Sequence, residues 1–341
     1  MDHARFADRH AREVVDVRRG DDALDAISRD GFWAVVATFE GDLTAIRFAD
    51  VQAGHPAPRV VDWSPLDRHW GSSLSSAAYV EAVEEVRRRI AAGTVYQVNV
   101  CRVLSHPLED DADLDGLDVV LRRGNPAPHG SRIRCAAAGI DVVSASPELF
   151  LARRDGRLIT KPIKGTAATR DQMLPKDHAE NIMIVDLMRN DLSGVCDAGT
   201  VWVDALCAFE DHPGLVHLVS TVSGRLRDGV TWRDVFAATY PPGSVSGAPK
   251  SSALRAICDL EASPRGPYCG AIGWVDADTD AAELAVGIRT FWAERDATGR
   301  RWLRFGTGAG ITWHSDPAAE WTETELKAAR LVGLAAGTVT P

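Results

Sequence analysis

Segments rich in β-branched residues recur along this chain at unequal intervals, and that spacing is the strongest constraint on its fold. Thr94 to Leu104, TVYQVNVCRVL, reads as a strand, and further strands are predicted at 132–138, 149–152, 199–206, 214–224, 267–275, 283–292 and 302–306. Phe32 to Phe39 and Leu43 to Phe48, parted by Glu40-Gly41-Asp42, form a predicted hairpin. A helix is predicted from Ser76, with Tyr79, Val83, Val86 and Ile90 on one face and Gly93 at its end. Others are predicted at 178–192, 231–238, 249–261 and 317–333. A doubly wound fold needs a regular βαβ period, and none is present. Hairpin-like neighbours point instead to an α+β chain with substantial antiparallel sheet. Pro56, Pro58 and Pro65 break up a loop, but no repeat or polar linker divides the chain, so one compact unit is expected.

Composition narrows the functions. An apolar fraction of 45% over 341 residues excludes wholesale disorder. No apolar run nears the roughly 18 residues a membrane crossing needs, and the charged start MDHARFADRHAREVVDVRRGDD has no secretory h-region. A formal charge of −10 without a Lys/Arg block argues against a nucleic-acid partner. It does not exclude small anions, which are held by local charges. Cys101, Cys135, Cys196, Cys207, Cys258 and Cys269 are scattered, with no CxxC pair, and read as reduced thiols of a cytoplasmic protein.

Four stretches could carry chemistry. In AEWTETELKAAR, Glu320, Glu323 and Lys327 stand at i, i+3 and i+7, on one helical face. That face is either solvated or catalytic, and the preceding Gly306-Thr307-Gly308-Ala309-Gly310 favours a site, because alternate glycines let a backbone approach a ligand. Asp177 and Glu180 share the first turn of another helix, where carboxylates also serve the helix dipole. If Glu180 and Glu323 converge, they suit Mg²⁺, which takes one or two carboxylates plus substrate oxygens. Glu148, in Ser146-Pro147-Glu148-Leu149-Phe150, could have a raised pKa and act as a general acid. Lys164, at a strand-to-loop junction, is either an exposed turn lysine or a desolvated nucleophile. Gly243 to Ser251 is not a phosphate-binding P-loop: Pro249 stands where glycine must precede the lysine.

Nine segments in collinear order over about residues 76 to 335 resemble the chorismate-utilising enzymes. They are YQVNV (96–100), SPELF (146–150), PIKGTAATR (162–170), HAENIMIVDLMRNDL (178–192), HLVSTVSG (217–224), GSVSGAPK (243–250), YCGAIGW (268–274), IRT (288–290) and GAGITWHSDPAAEWTET (308–324). The resemblance implies two large, mostly antiparallel sheets packed around a buried site, with helices outside. It makes 76–335 the catalytic region, with 1–75 part of the same unit. It places Mg²⁺ on Glu180 and Glu323, with Glu320 and Asp177 in the outer shell. Arg289 and Tyr268 fall on contacts to the enolpyruvyl carboxylate. Gln97, Gly165, Ser244, Gly308, Ala309, Gly310 and Lys327 fall on other substrate contacts. Glu148 matches the general acid that protonates the departing C4 hydroxyl, and His217 a histidine near the ring.

Two positions discriminate among members. Those that add water carry a lysine base where this chain has Gln97, and an amide cannot abstract a proton from water. Lys164 fills the third position of P-I-x-G-T, as in members that aminate C4 through a lysine adduct; members that aminate C2 usually have Ala there. The expectation is amination of chorismate by ammonia to 4-amino-4-deoxychorismate. The alternatives are C2 amination, giving anthranilate or its precursor, and an inactive chorismate-binding or scaffolding subunit. No LLES-type element of the kind that binds tryptophan is present. No Cys-His-Glu glutaminase set is present either, which implies a separate glutamine amidotransferase subunit or free ammonia.

Overall fold

The computed structural model describes residues 1–54, 61–67, 69–167, 169–212 and 215–340. Pro56 and Pro58, Ala168 of the 162–170 segment, and Gly214 at the head of a predicted strand lie outside the described residues. The chain opens with β1 (His3–Arg5), β2 (Arg9–Arg19), a short α1 (Gly20–Ala26) and the predicted hairpin, β3 (Phe32–Ala37) with β4 (Leu43–Ala53). After β5 (Gly71–Ser72) comes α2 (Ser76–Ala91), whose cap is Ser75 rather than Ser76: its hydroxyl accepts from the Ala78 amide at 3.2 Å. Then follow β6 (Gln97–Pro107), α3 (Leu114–Gly124), β7 (His129–Cys135), β8 (Ile140–Ser146), β9 (Leu149–Arg154), β10 (Arg157–Lys161), β11 (Ile163–Ala167) and α4 (Pro175–Ser193). The last part holds β12 (Trp202–His212), β13 (Leu215–Arg225), α5 (Trp232–Thr239), β14 (Gly247–Ala248) and α6 (Lys250–Leu260). It ends with β15 (Ala271–Asp276), β16 (Ala281–Val286), β17 (Thr290–Arg295), β18 (Arg301–Ile311) and α7 (Pro317–Ala335).

Every strand pairing described is antiparallel, and the strands join in one hydrogen-bonded sheet. Read across, one half runs β12–β13–β10–β9–β16–β15–β3–β4–β2, with β11 also on β13. The other runs β7–β8–β17–β18–β6, with β5 and β14 on β6. Only the three-residue β1 bridges β2 to β7. These halves are the two large antiparallel sheets that the resemblance implied.

Two connections pass between the halves side by side, at Ser146–Glu148 and at Gly287–Arg289. The predicted single strand 283–292 is therefore two, β16 and β17, broken where the chain changes partner. There the ladder is replaced by specific bonds: Ser146 Oγ donates to the Val286 carbonyl at 2.6 Å, and the Ala145 amide to the Arg289 carbonyl at 3.0 Å. The Val286 amide donates to the Glu148 carbonyl at 3.0 Å.

Helices cover the outside. α4 lies on β11, β12 and β13, while α7 lies on β18 and against α2 and α3. Leu114, Leu117 and Leu121 of α3 stack at helical spacing and join Leu331 and Leu334 of α7 over the Phe291–Phe305 pair. Among the described residues no helix is long and apolar enough to cross a membrane.

Gly273 sits inside β15 where a β-carbon would overlap the Glu283 carbonyl oxygen of β16. Gly273→Ala is expected to cost about 2–4 kcal/mol in urea unfolding, since backbone must move. Gly139→Ala meets no atom within 4 Å, has only its φ of +68° against it, and should cost about 1 kcal/mol.

Candidate active site

A cavity of about 630 Å³ lies between the halves. Its wall is built from the two crossings, the open end of β18, β11, and the facing turns of α4 and α7. The structure brings Lys164, Glu148, His217, Gly165, Ser244, Tyr268, Arg289 and Gly308–Gly310 together on this wall, with Lys327, Glu180, Glu323, Glu320 and Asp177. Gln97 is not among the lining residues but stands directly behind one of them, Gly310. It is buried against Gly310, off the cavity surface, and both atoms of its amide lack a hydrogen-bond partner.

The glycine segment, predicted to follow a strand, belongs to β18. β17 pairs with β18 only as far as Phe291–Phe305, and beyond that β18 is paired with β6 alone. One edge of residues 306–311 is thus left open where Arg289, at φ +53°, turns away. Lys327 Nζ donates to the Gly308 carbonyl at 3.2 Å from that side. An antiparallel residue points its N–H and C=O the same way, so the Gly306, Gly308 and Gly310 amides face this edge. Their missing side chains serve a different end: β-carbons there would collide with the Tyr268 ring, Cys101 Sγ and the Gln97 amide respectively.

Lys164 lies within β11, not at its end. The register of β11 on β13 slips between Ile163 and Thr166, and this bulge re-aims the Lys164 side chain inward. Gly165, at φ +83°, completes the bulge, and a β-carbon there would lie 2.8 Å from Asp177 Cβ. Lys164 Nζ donates to the Ser244 carbonyl at 2.9 Å, as does the Asn99 amide at 3.0 Å. Burial pushes the Lys164 pKa down, although Glu148 and Glu180 pull the other way. Glu148 is 4% exposed, and burial pushes its pKa up against a Ser244 hydrogen bond and the Lys164 charge. His217 is buried, its Nδ1 2.8 Å from Thr166 Oγ1.

Acidic groups face one another from α4 and α7. Burial raises the pKa of Glu180 and of Glu320. For Glu323 burial is outweighed by Lys327, 2.7 Å away, and its pKa falls. Asp177 Oδ2 accepts the Leu174 amide at 2.9 Å, so the helix-terminus role open to it is realised, although it also borders the cavity. Among the described residues no three His, Cys, Asp or Glu side chains are gathered closely enough to enclose a metal. Burial lowers the pKa of the Arg289 guanidinium, and no carboxylate among the described residues offsets that cost. A cationic group desolvated without a partner is suited to receiving an anion.

Sequence reasoning missed three contributors. Lys176 lines the cavity beside Asp177 and acts on Glu180, Glu320 and Glu323; attention to carboxylates alone passed over it. Asn99 was hidden inside a strand. Arg265 is 1% exposed and sits behind the wall: it donates to Glu261 at 2.8 Å, to the Val245 carbonyl at 3.0 Å and to the Asn99 carbonyl at 2.8 Å. An arginine set between Pro264 and Gly266, one turn ahead of YCGAIGW, was the available signal.

The fold agrees with the comparisons. Residues 34–333 match the family of chorismate binding enzymes. The chain is 37% identical to anthranilate synthase component 1 of Streptomyces coelicolor over 296 residues, 82% of this chain and 56% of that protein. It is 40% identical to aminodeoxychorismate synthase of Streptomyces pristinaespiralis over 278 residues, 77% of this chain and 37% of that one. The chain thus spans about half or less of the length of these relatives. Among solved structures, anthranilate synthase component I from Streptococcus pneumoniae superposes with a TM-score of 0.78 at 24% identity, covering 92% of this chain and 85% of the other. The chain belongs to the chorismate-binding enzyme family.

Gly306→Ala drives a methyl group into the Tyr268 ring. Calorimetric titration with chorismate is expected to show affinity reduced at least about tenfold, with the far-ultraviolet dichroism unchanged.

Proposed function

We propose that this chain converts chorismate and ammonia to 4-amino-4-deoxychorismate, as component I of an aminodeoxychorismate synthase. The observation that carries the reading is the placement of Lys164. A strand bulge aims a buried amine into the cavity, beside Glu148, in surroundings that favour its neutral form. A neutral amine can attack C2 of the ring. The double bonds shift, and the C4 hydroxyl departs as water with the proton of Glu148, whose burial keeps that proton available. Ammonia then bonds to C4, the double bonds shift back, and the Lys164 nitrogen leaves C2. Two successive shifts return the new bond to C4.

Chorismate is a dianion. Arg289 and Tyr268 are assigned to the enolpyruvyl carboxylate, and the open-edge amides of Gly308 and Gly310, with Gly165, Ser244 and Lys327, to the rest. His217, whose Nδ1 meets Thr166 Oγ1, is assigned a position near the ring. Glu180 and Glu323, hard oxygen donors on opposite walls of the cavity, fit Mg²⁺, with Glu320 and Asp177 behind them. When bound, such an ion neutralises the ring carboxylate. In the absence of a ligand, Lys327 already offers Glu323 a positive charge. Gln97, an amide that cannot take a proton from water, supports amination over water addition. A separate glutamine amidotransferase would supply the ammonia, in the reducing cytoplasm that the free thiols suit. Residues 76–335 form the catalytic region in this reading, and β1–β4 complete its sheet.

Incubation with chorismate, Mg²⁺ and ammonium, followed by a 4-amino-4-deoxychorismate lyase, should yield 4-aminobenzoate. Anthranilate fluorescence without the lyase would assign the chain to C2 amination, and untouched chorismate to an inactive subunit. Lys164→Ala should lower the 4-aminobenzoate yield at least about 100-fold. An unchanged yield would end the nucleophile's role.

A pH profile tests the acid. Glu148 must be protonated to act, so turnover should fall as pH rises through its elevated pKa, above the ordinary value of about 4.3. Glu148→Gln cannot deliver a proton. That variant should lose about 10²–10⁴-fold in kcat and lose the alkaline limb with it.

A further inference from the structure

Among the described residues Lys164 Nζ has one hydrogen-bond partner, and that partner is shared. Lys164 donates to the Ser244 carbonyl at 2.9 Å, and the Asn99 side-chain amide donates to the same oxygen at 3.0 Å. Two nitrogens bonded to one oxygen at these distances lie within about 6 Å of each other. A carbonyl oxygen offers two lone pairs, and these two donors fill them. Three other lysines are held differently. Lys161, Lys250 and Lys327 each meet a carboxylate: Glu210 at 2.8 Å, Asp191 at 2.7 Å and Glu323 at 2.7 Å. A carboxylate holds an ammonium ion more strongly than a neutral oxygen does, and a neutral oxygen already bonded elsewhere holds it less again.

Asn99 is itself locked. It lies on β6, 8% exposed, and borders the cavity. Its main-chain N–H donates to the Ser246 carbonyl at 2.9 Å, and its main-chain carbonyl accepts Arg265 Nη2 at 2.8 Å. Arg265 Nη1 donates to the Val245 carbonyl at 3.0 Å. The carbonyls of Ser244, Val245 and Ser246 are therefore each tied to Asn99 or to the arginine behind it. Across the β6–β18 ladder Asn99 is paired with Gly310, where a β-carbon would come 2.9 Å from its Oδ1, so the glycine leaves room for the amide. The direction of the Ser244 carbonyl is thus set by β6 and not by Lys164. The amination steps themselves give Asn99 no part.

We propose that Asn99 is a positioning residue for the nucleophile: by taking half of the Ser244 oxygen, it sets where the Lys164 amine rests and keeps that oxygen from holding it as ammonium. This deepens the amination proposed above and rests on it. A neutral amine carries two N–H bonds and one lone pair. With one N–H fixed on the wall, the lone pair is confined to the directions that remain, the cavity among them. Without Asn99 both lone pairs of the oxygen serve Lys164, the ammonium form is favoured, and an ammonium ion has no lone pair with which to attack.

The test is competitive acetylation of the full chain by trace acetic anhydride across a pH series, with each lysine peptide quantified by mass. Only the neutral amine is acetylated. The charged groups acting on Lys164, which are Glu148, Glu180 of α4, and Glu323 and Lys327 of α7, are all kept in the variant. Asn99→Leu keeps the branched shape and removes the donor. The Lys164 midpoint is expected to rise by at least about half a pH unit, about threefold less neutral amine at a given pH. Lys250, paired with Asp191, is the internal reference and should label as in the parent chain. In the coupled assay, kcat near neutral pH should fall at least about threefold and its acid limb should move by the same half unit, with KM for chorismate within about twofold. Asn99→Ala serves where the leucine variant does not fold, with the same direction of shift expected. An unmoved Lys164 midpoint, or an equal shift at Lys250, would overturn the proposal. Acetylation is read by mass whatever the enzyme makes. A moved midpoint without 4-aminobenzoate from the parent chain would support the hold of Asn99 on the amine and overturn the amination alone. Formation of 4-aminobenzoate with an unmoved midpoint would overturn the role of Asn99 alone.

Discussion

Buried backbone must stay hydrogen-bonded, and the molecule is organised around the one place where its sheet cannot supply those bonds. β8 with β9, and β16 with β17, are neighbouring strands that change halves at the same level. Their ladder lapses between Ser146 and Leu149 and between Val286 and Thr290. The Ser146 hydroxyl and two main-chain hydrogen bonds take over. That solution has chemical results. Glu148 and Arg289 are carried into the interior on the lapsed segments, and β18 is left with an unpaired edge of glycine amides. The cavity is the space that opens when two half-sheets share strands without sharing a register.

An acidic chain proposed to receive a dianion must separate its charges by position. Net charge bears on long-range attraction and solubility, whereas affinity is set within a few ångströms, where burial strengthens every interaction. Here Arg289 carries a desolvated charge with no acid among the described residues to offset it. Lys164 and Glu148 moderate each other: each lowers the cost of burying its neighbour's charge while burial pushes both toward neutrality. Neutral amine beside protonated acid is the starting state that a nucleophilic attack with proton delivery requires.

Much of this was legible from residues alone, though unevenly. Long periodic helices such as α4 and α7 and the strands flanked by turns were readable because their apolar spacing is undiluted. α3 was not, since Gly116 interrupts it; the glycine is there because the backbone of Asp62 and Trp63 passes within 3 Å of where a β-carbon would sit. The split of 283–292 was invisible because Val286, Ile288 and Thr290 continue a β-branched run through a residue in left-handed backbone. Pairwise spacing placed Glu320, Glu323 and Lys327 on one face. The opposition of Glu180 to Glu323, and the inward turn of Lys164, depend on which strand lies beside which, and local pattern carries no such information. Family resemblance supplied that long-range placement.

The order in which strands are synthesised differs from the order in which they pair. β18 is made last, yet it sits in mid-ladder, hydrogen-bonded to β17 on one side and along its whole length to β6 on the other. A ribosome-bound chain in which β18 has not yet emerged therefore exposes two sticky edges that have no mate. Unpaired edges of that kind invite wrong partners and aggregation, and a contact spanning some two hundred residues forms slowly. Survival of the unfinished protein thus depends on how long those edges stay apart.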